Sequence, residues 1–257
     1  MDNDQEFPTA QLFGSVAKEY ARTRPGYPPQ LFSLLSSLTP HHELAWDVGT
    51  GNGQAALQIA EHYKKVVATD TSEQQLHLAQ PRPNITYAVT PPSIPEHLLN
   101  SIVGPDSSVD LVTVATAVHW FDLDKFYPQV KRVLKKPGGV IAVWGYSKPS
   151  VNLAVDAVCE RFSERVLPCH HPAIKWLVEK YESLPFPFAE VQSIRMEIEE
   201  EKTFEQFLGL VKTSSSKVVR EGLLSEEFIR ELEAAWGAPR HVTRTLKFPL
   251  FGKIGKA

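Results

Sequence analysis

The stretch DVGTGNGQAAL, residues 47–57, places three glycines within five positions, directly after an acidic residue and before an apolar run. The preceding LAWDV (44–48) is typical of a buried strand, and GQAALQIAEHY (53–63) carries apolar residues at helical spacing. A glycine-rich turn between a strand and a helix lets a ligand approach the backbone closely. The sequence therefore predicts a strand–turn–helix unit whose turn binds a ligand.

Outward from this unit, strand-like and helical patterns alternate along the chain. Further strands are predicted at KVVATD (65–70), NITYAV (84–89), DLVTVATA (110–117) and GGVIAVWGY (138–146). Between the second and third, Ser72 with Gln75 three residues later matches a capping box and predicts a helix start. Strands that alternate with helices at this spacing indicate βαβ units and a parallel sheet.

Beyond residue 150 the rhythm of the sequence changes. Helical patterns cover 153–167, 173–184, 203–212 and 225–236, while SIRMEIEEE (193–201) alternates as a half-exposed antiparallel strand does and 242–251 is also β-like. We predict a single domain over residues 1–257, with helices covering its N-terminal side and a helical insertion after the fifth strand.

Composition and charge exclude several classes of protein. The chain has 257 residues and a net charge of −3, without a basic patch for nucleic acid or an anionic membrane. No apolar stretch reaches the ~20 residues of a membrane span, and the N-terminus lacks an apolar leader. Cys159 and Cys169 match no zinc or redox spacing, and His170-His171 beside Cys169 has no partner set for a metal. We expect a metal-free cytoplasmic protein, monomeric or weakly homodimeric, without nucleic-acid or membrane partners.

The details of the glycine turn decide between ligands. In the dinucleotide pattern G-x-G-x-x-G the third glycine comes later than Gly53, and Gln54 stands where it would be. Asp47 precedes the first glycine by two residues, where a carboxylate gains nothing from a pyrophosphate but attracts a cation. S-adenosylmethionine carries an ammonium and a sulfonium, so we expect Asp47 to organise its ammonium end, directly or through water. Asp70 ends the second strand. An acid at this position accepts hydrogen bonds from the ribose hydroxyls of a nicotinamide dinucleotide as well as of S-adenosylmethionine, or it simply caps a helix.

Four motifs in this order, DVGTGNG, ATD, AVHWFD and RVLKKPGG, resemble the class I S-adenosylmethionine-dependent methyltransferases. YARTRPGYP and HWFD are similar to a narrower group of small-molecule enzymes around trans-aconitate methyltransferase, with plant and fungal members. The resemblance implies an α/β, Rossmann-like fold whose mostly parallel seven-stranded sheet ends in an antiparallel strand. Residues 10–38 would form lid helices, 42–146 the cofactor-binding core, and 147–257 the insertion and C-terminal strands.

The same resemblance implies which residues bind the cofactor. Around the methionine part, the ribose, the adenine and the lid, these are Asp47, Gly49, Thr50, Gly51, Gly53, Asp70, Thr71, Ser93, Ala115 and Tyr20. Relatives often place an acidic or small polar residue beside the adenine, whereas this chain has VTPPSIPEH there. We therefore expect a backbone contact near Ser93.

Methyl transfer from a sulfonium is a direct displacement, so the protein mainly positions the nucleophile in line and excludes water. A carboxylate nucleophile needs no general base, whereas a hydroxyl or an amine needs one. His119 is the candidate base, because histidine titrates near neutral pH, although it would serve equally as a wall. An anionic substrate would pair with Arg24. The predicted substrate residues are Arg24, Tyr27, His119, Trp120, Trp144 and Tyr146.

The predicted activity is methyl transfer to an oxygen or nitrogen of a small molecule. A macromolecular methyltransferase is disfavoured because ATAVHWFD stands where such enzymes often carry an Asn/Asp-Pro-Pro-aromatic motif. A nicotinamide-dependent oxidoreductase is disfavoured by Gln54 and the early third glycine. A non-methylating or pericyclase-like protein that binds S-adenosylmethionine on the same fold stays open.

Overall fold

The computed structural model describes residues 24–166, 172–213 and 224–257. Within these ranges, seven strands form one sheet in the order β3-β2-β1-β4-β5-β7-β6. The strands are β1 (Leu44–Val48), β2 (Lys65–Asp70), β3 (Ile85–Val89), β4 (Leu111–Ala115), β5 (Val140–Tyr146), β6 (Ala189–Lys202) and β7 (Arg244–Lys256). This is the predicted Rossmann-like sheet.

The five strands β1–β5 are parallel to one another. All seven residues of β5 are buried, as expected for a central strand covered by helices on both faces. In the register of the sheet, Asp47 of β1 lies opposite Ala68 of β2 on one side and Thr113 of β4 on the other. The acidic residue of the glycine motif is therefore placed in the middle of the sheet.

The long strands β6 and β7 extend the sheet beyond β5, and of the seven strands only β7 runs in the opposite direction. β7 lies between β5 and β6 and is antiparallel to both. In β6 the buried apolar residues include Ile194 and Ile198, and the exposed charged residues Arg195 and Glu197 lie between them, so one face is solvated. The alternation predicted an antiparallel strand here, and that prediction is confirmed.

Helices connect the strands and cover both faces of the sheet. Their bounds are α1 (Pro29–Leu38), α2 (Gln54–Ile59), α3 (Glu73–Leu76), α4 (Glu96–Ile102), α5 (Leu123–Val133), α6 (Leu153–Val166), α7 (Ile174–Val178), α8 (Phe204–Thr213) and α9 (Glu226–Trp236), with a 3₁₀ turn at Val118–Trp120. Helices α6 and α7 follow β5, at the position of the predicted insertion, while α8 and α9 connect β6 to β7. Of the proposed lid, α1 and the segment 24–28 lie within the described residues.

Two buried apolar clusters form the core, and their side chains lie on opposite faces of the sheet. Successive residues of β5 alternate between the two clusters: Ala142 and Trp144 belong to one, and Ile141 and Val143 belong to the other. In the described part of the chain, no helix is both long and apolar enough to cross a bilayer. Among the same residues, His, Cys, Asp and Glu side chains form no group of three that would hold a metal ion.

Candidate functional site

A cavity of about 600 Å³ opens at the carboxyl ends of the parallel strands. It lies where β1 has β2 on one side and β4 on the other, which is the point at which the strand order reverses and open α/β sheets bind ligands. Of the residues predicted from sequence, those on its wall are Arg24, Tyr27, Gly49, Thr50, Gly51, Asp70, Thr71, Ser93, Ala115, Trp120 and Tyr146. The structure thus brings most of the predicted site together.

The glycine turn presents bare backbone to this cavity. Gly51 and Gly53 both have left-handed backbones, with φ of 58° and 82°, which disfavours any side chain. A Cβ built on Gly51 would meet no protein atom within 4 Å, whereas one built on Gly53 would lie 2.6 Å from the hydroxyl oxygen of Tyr87. Gly51 therefore leaves room for a ligand, while Gly53 leaves room for β3.

Asp47 acts from beneath the turn, because its side chain is fully buried and is not part of the cavity wall. Its Oδ2 accepts a hydrogen bond from Thr50 Oγ1 and its Oδ1 accepts one from Thr113 Oγ1, both at 2.6 Å. Burial raises the pKa of this carboxyl to about 6, against the opposing effect of the two threonine bonds. Asp47 thus fixes the turn through Thr50 and places a titratable charge below it.

Asp70 lies on the cavity wall and ties two backbone segments together. Its Oδ2 accepts a bond from the Gly51 N–H and its Oδ1 one from the Ser72 N–H, both at 2.8 Å. Burial raises the pKa of Asp70 above its ordinary value. The helix cap here is Ser72, whose Oγ accepts from the Gln75 N–H at 3.3 Å, so Asp70 is not a plain cap. Each carboxylate oxygen has further acceptor capacity for a ligand hydroxyl.

Gln75 is a site residue that the sequence reasoning missed. The capping-box pattern predicts that its side chain bonds back to the N–H of Ser72, but Asp70 occupies that N–H. Gln75 lies on the cavity wall, is only 4% exposed, and its Oε1 has no hydrogen-bond partner among the described residues. A buried acceptor without a partner is costly, so this atom fits a donor on the ligand.

The segment after β3 forms the wall next to Gln75. Thr90, Pro91, Pro92, Ser93 and Ile94 line the cavity here. The segment contributes no carboxylate, and its two prolines have no N–H to donate. Ser93 lies on the wall as the resemblance implies, so a ligand ring would meet backbone carbonyls and small side chains.

The other end of the cavity is built from side chains of distant segments. Arg24 Nη1 donates to the hydroxyl oxygen of Tyr146 at 3.3 Å, and the hydroxyl of Tyr27 lies 3.2 Å from Thr116 Oγ1. The ring of Tyr27 packs edge-on against Trp144, with 5.5 Å between centroids. This end therefore offers one guanidinium and three hydroxyl groups in an aromatic setting.

His119 and Trp144 do not reach the cavity. His119 is 3% exposed, its Nδ1 lies 3.0 Å from the Tyr181 hydroxyl, and burial lowers its pKa to about 4. In the 3₁₀ turn each residue points about 120° away from the next, so Trp120 faces the cavity and His119 faces the core. Trp144 is fully buried against Phe32 and Tyr27. This placement gives no support to His119 as a base or to Trp144 as a substrate contact.

The remaining predicted positions divide into two groups. Gly53 lies behind the wall with Asp47, and Tyr20 lies outside the described residues. The wall also contains Asn52, Thr69, Phe121 and Asp122, which lie within the quoted motifs, and it contains Lys125, Phe126 and Gln129, which no motif marks. Asp122 and Lys125 form an ion pair at 2.9 Å on the rim. Thr113 is the one hydroxyl residue in the apolar strand β4. Its contact with Asp47 could be recognised only from the strand register, which places the two residues opposite each other.

Comparison with known proteins identifies methyltransferases as the relatives of this chain. A family described as a methyltransferase domain matches residues 46–143. A Dictyostelium discoideum protein assigned as a methyltransferase is 36% identical over 146 residues, which are 56% of this chain and 52% of that protein. The methyltransferase cfoB of Aspergillus candidus is 32% identical over 174 residues, 62% of this chain and 53% of that protein. The chain thus spans about half the length of these curated relatives.

A solved structure extends the likeness to the whole fold. A protein from Anaeromyxobacter dehalogenans, assigned as a type II methyltransferase, is 34% identical, with a TM-score of 0.78. The match covers 91% of this chain and 97% of that chain. Gly51, Asp70 and the unpartnered Gln75 Oε1 line a cavity suited to the cofactor of such enzymes. The chain belongs to the class I S-adenosylmethionine-dependent methyltransferases.

Proposed function

We propose that this protein transfers the methyl group of S-adenosylmethionine to an oxygen or nitrogen of a small molecule by direct displacement. The observation that carries the proposal is the continuity of the cavity. One space of about 600 Å³ joins Gly51 and Asp70 at one end to Arg24 and Tyr146 at the other. Ligand sites of small molecules and cofactors have volumes in this range, about 300–1,000 Å³.

At the first end, the chain offers what the cofactor needs. When bound, the cofactor supplies an electrophilic methyl group on a sulfonium. The bare backbone at Gly51 allows close approach, and Asp70 accepts bonds from hydroxyls such as those of a ribose. Gln75 Oε1 accepts a bond from a further donor. The buried Asp47 favours the positive charge above it, because charges interact strongly where water is excluded.

At the second end, the side chains favour an acceptor that carries a carboxylate. Arg24 offers a guanidinium, and the hydroxyls of Tyr27 and Tyr146 offer neutral hydrogen bonds. Because His119 lies in the core, the part of the wall that the structure describes has no histidine to act as a base for a hydroxyl or amine acceptor. A carboxylate is already ionised at neutral pH and needs only to be placed in line with the methyl group.

The resemblance to the trans-aconitate methyltransferase group supports a free small acid as the acceptor, and a net charge of −3 gives no support to a nucleic-acid substrate. Two cysteines at no metal or redox spacing support a reducing compartment, and we infer that the protein works in the cytosol.

The proposal is tested by tritium transfer from methyl-labelled S-adenosylmethionine to a panel of carboxylic acids, phenols and amines. We expect at least one carboxylic acid to be methylated. In Arg24→Gln its KM should rise about tenfold, as for a lost charge-assisted hydrogen bond, whereas Arg195→Gln, an exposed site away from this cavity, should not change it. Cofactor binding with no transfer to any acceptor would favour the non-methylating alternative. Transfer to amines or phenols alone would exclude the carboxylate preference.

A further inference from the structure

Thr116 has a backbone conformation that its side chain disfavours. It follows β4 directly, lies on the cavity wall, and has φ of +56°. Left-handed backbone is uncommon for residues other than glycine, asparagine and aspartate, and for a β-branched residue it is an outlier. Such strain persists only where the surrounding structure holds it, and it is concentrated at functional sites.

The contacts of Thr116 show how the strain is held. Its N–H donates to the carbonyl oxygen of Trp144 at 2.7 Å, so the backbone is fixed to the end of β5. Its Oγ1 lies 3.2 Å from the hydroxyl of Tyr27, across 89 positions of sequence. Glycine at this position would keep the backbone bond without strain, so the backbone alone gives no reason for a threonine.

What threonine adds is a hydroxyl on the cavity wall, paired with a second one. Tyr27 is itself held by its ring, which packs against Trp144 and lies 6.4 Å from the ring of Tyr146. The pair lies at the end of the cavity that also contains Arg24. Hydroxyls both donate and accept hydrogen bonds, so a fixed pair of them can select one orientation of a polar atom beside it.

We propose that Thr116 and Tyr27 orient the methyl acceptor, and that the strained backbone of Thr116 is retained because it directs the hydroxyl towards the reacting atom. The inference rests on the proposed methyl transfer and adds the residues that align its nucleophile. Arg24 would bind the charge of the acceptor, while the hydroxyl pair would fix its angle of approach.

The chain supplies a matched control for the strain. Ser107 has the same φ of +56°, but it lies in an exposed loop and is not part of the cavity wall. Substitution of either residue by glycine relieves the left-handed backbone. Only Thr116→Gly also removes a hydroxyl from the site.

The experiment compares Thr116→Gly, Thr116→Ser, Tyr27→Phe and Ser107→Gly in three measurements: melting temperature, affinity for S-adenosylhomocysteine, and methyl transfer to the acceptor panel. Thr116→Gly should melt no lower than wild type, bind S-adenosylhomocysteine within about threefold of it, and lose about tenfold in kcat/KM, as for one hydrogen bond. Tyr27→Phe should lose a similar factor. Thr116→Ser keeps the hydroxyl and should stay within about threefold, and Ser107→Gly should leave transfer unchanged.

Three outcomes would overturn the proposal. A fall of several degrees in the melting temperature of Thr116→Gly would make the threonine a structural residue. A large loss of S-adenosylhomocysteine affinity would make it a cofactor contact. Unchanged transfer in a stable Thr116→Gly would leave the hydroxyl without a role. These results differ from failure of the proposed function itself, in which the wild-type protein binds the cofactor and methylates nothing.

Discussion

The two ends of the cavity are built in different ways. At the end lined by Gly51 and Asp70 (the cofactor end), the contacts connect neighbouring parts of the chain. Asp70 bonds to Gly51, 19 positions away, and Asp47 bonds to Thr50, three positions away. At the other end, where we propose that the methyl acceptor binds (the acceptor end), Arg24 donates a hydrogen bond to Tyr146 across 122 positions. The first end is therefore largely a property of one βαβ unit, and the second is a property of the assembled domain.

The two ends also differ in charge. Two carboxylates, Asp47 and Asp70, lie at or beneath the cofactor end, and burial raises the pKa of each. Arg24 brings the opposite charge to the acceptor end. A cationic cofactor and the proposed anionic acceptor would therefore be attracted to different ends of the cavity.

The largest effect is expected where the cofactor end is held together. Asp70→Ala removes the acceptor for the Gly51 and Ser72 N–H groups and for the ligand hydroxyls. We expect affinity for S-adenosylmethionine to fall about 100-fold by calorimetric titration. Asp70→Asn, which retains a carbonyl acceptor, should lose less. An Asp70→Ala protein that is folded and binds normally would contradict the role given to this end.

Two glycines of the same turn should separate binding from stability. In Gly51→Ala the new Cβ enters open space next to the ligand, so we expect at least a tenfold loss of cofactor affinity with about 1–2 kcal/mol of destabilisation. In Gly53→Ala the new Cβ collides with the side chain of Tyr87. We therefore expect the free energy of unfolding to fall by about 2–4 kcal/mol, with a smaller loss of cofactor affinity. Urea unfolding and calorimetry test this pair, and the opposite ranking would show that the turn has been misassigned.

How much the sequence could predict follows the same division. LAWDV and KVVATD form β1 and β2 with the predicted bounds, because a buried parallel strand is an apolar run bounded by turn residues. Helix α4 (Glu96–Ile102) was not predicted, since Leu99 is its one buried residue and its amphipathic signal is weak. The cofactor turn could be predicted because all its parts lie within a few residues of one another.

At the acceptor end, the sequence identified residue types but could not place them. His119 and Trp120 are adjacent, and only the geometry of the 3₁₀ turn determines which one faces the cavity. In a capping box the side chain of Gln75 would accept a bond from the Ser72 N–H, but Asp70 accepts that bond instead, so two acceptors compete for one N–H. Such choices depend on tertiary contacts that local patterns do not contain.

Removing the unpartnered acceptor of Gln75 should have opposite effects on the free and the bound protein. Gln75→Leu replaces a buried unsatisfied group by an apolar one, so the free energy of unfolding without ligand should rise by about 1 kcal/mol. Affinity for S-adenosylmethionine should fall about tenfold, because the ligand loses an acceptor. Chemical denaturation and calorimetry on one protein sample give both numbers. Loss of stability without loss of affinity would remove Gln75 from the site.

The raised pKa of Asp47 gives the cofactor end a pH dependence. Its pKa of about 6 means that a proton neutralises the charge below pH 6, so affinity for the cationic cofactor should fall about tenfold between pH 7 and pH 5. Stability should change in the opposite sense. The folded chain binds this proton more tightly than the unfolded chain, so the Asp47 contribution favours folding as pH falls from 7 towards 4. Asp47→Asn should weaken both trends; identical pH profiles for the variant and wild type would exclude Asp47 as their source.

The smallest effect is expected at His119, and it tests whether this histidine is a core residue or a general base. With its side chain in the core and its pKa near 4, His119 is neutral throughout the physiological range, and Tyr181 occupies its Nδ1. His119→Gln should therefore lower kcat less than about fivefold, whereas the loss of a general base costs about 100- to 10,000-fold. The pH profile of kcat should show no inflection near 6.5, the ordinary value for histidine. If the variant loses activity 100-fold together with such an inflection, the 3₁₀ turn must rotate on substrate binding and bring His119 to the acceptor end. That result would mean that the acceptor end reaches its active arrangement only when the substrate binds, whereas the cofactor end is already formed in the free protein.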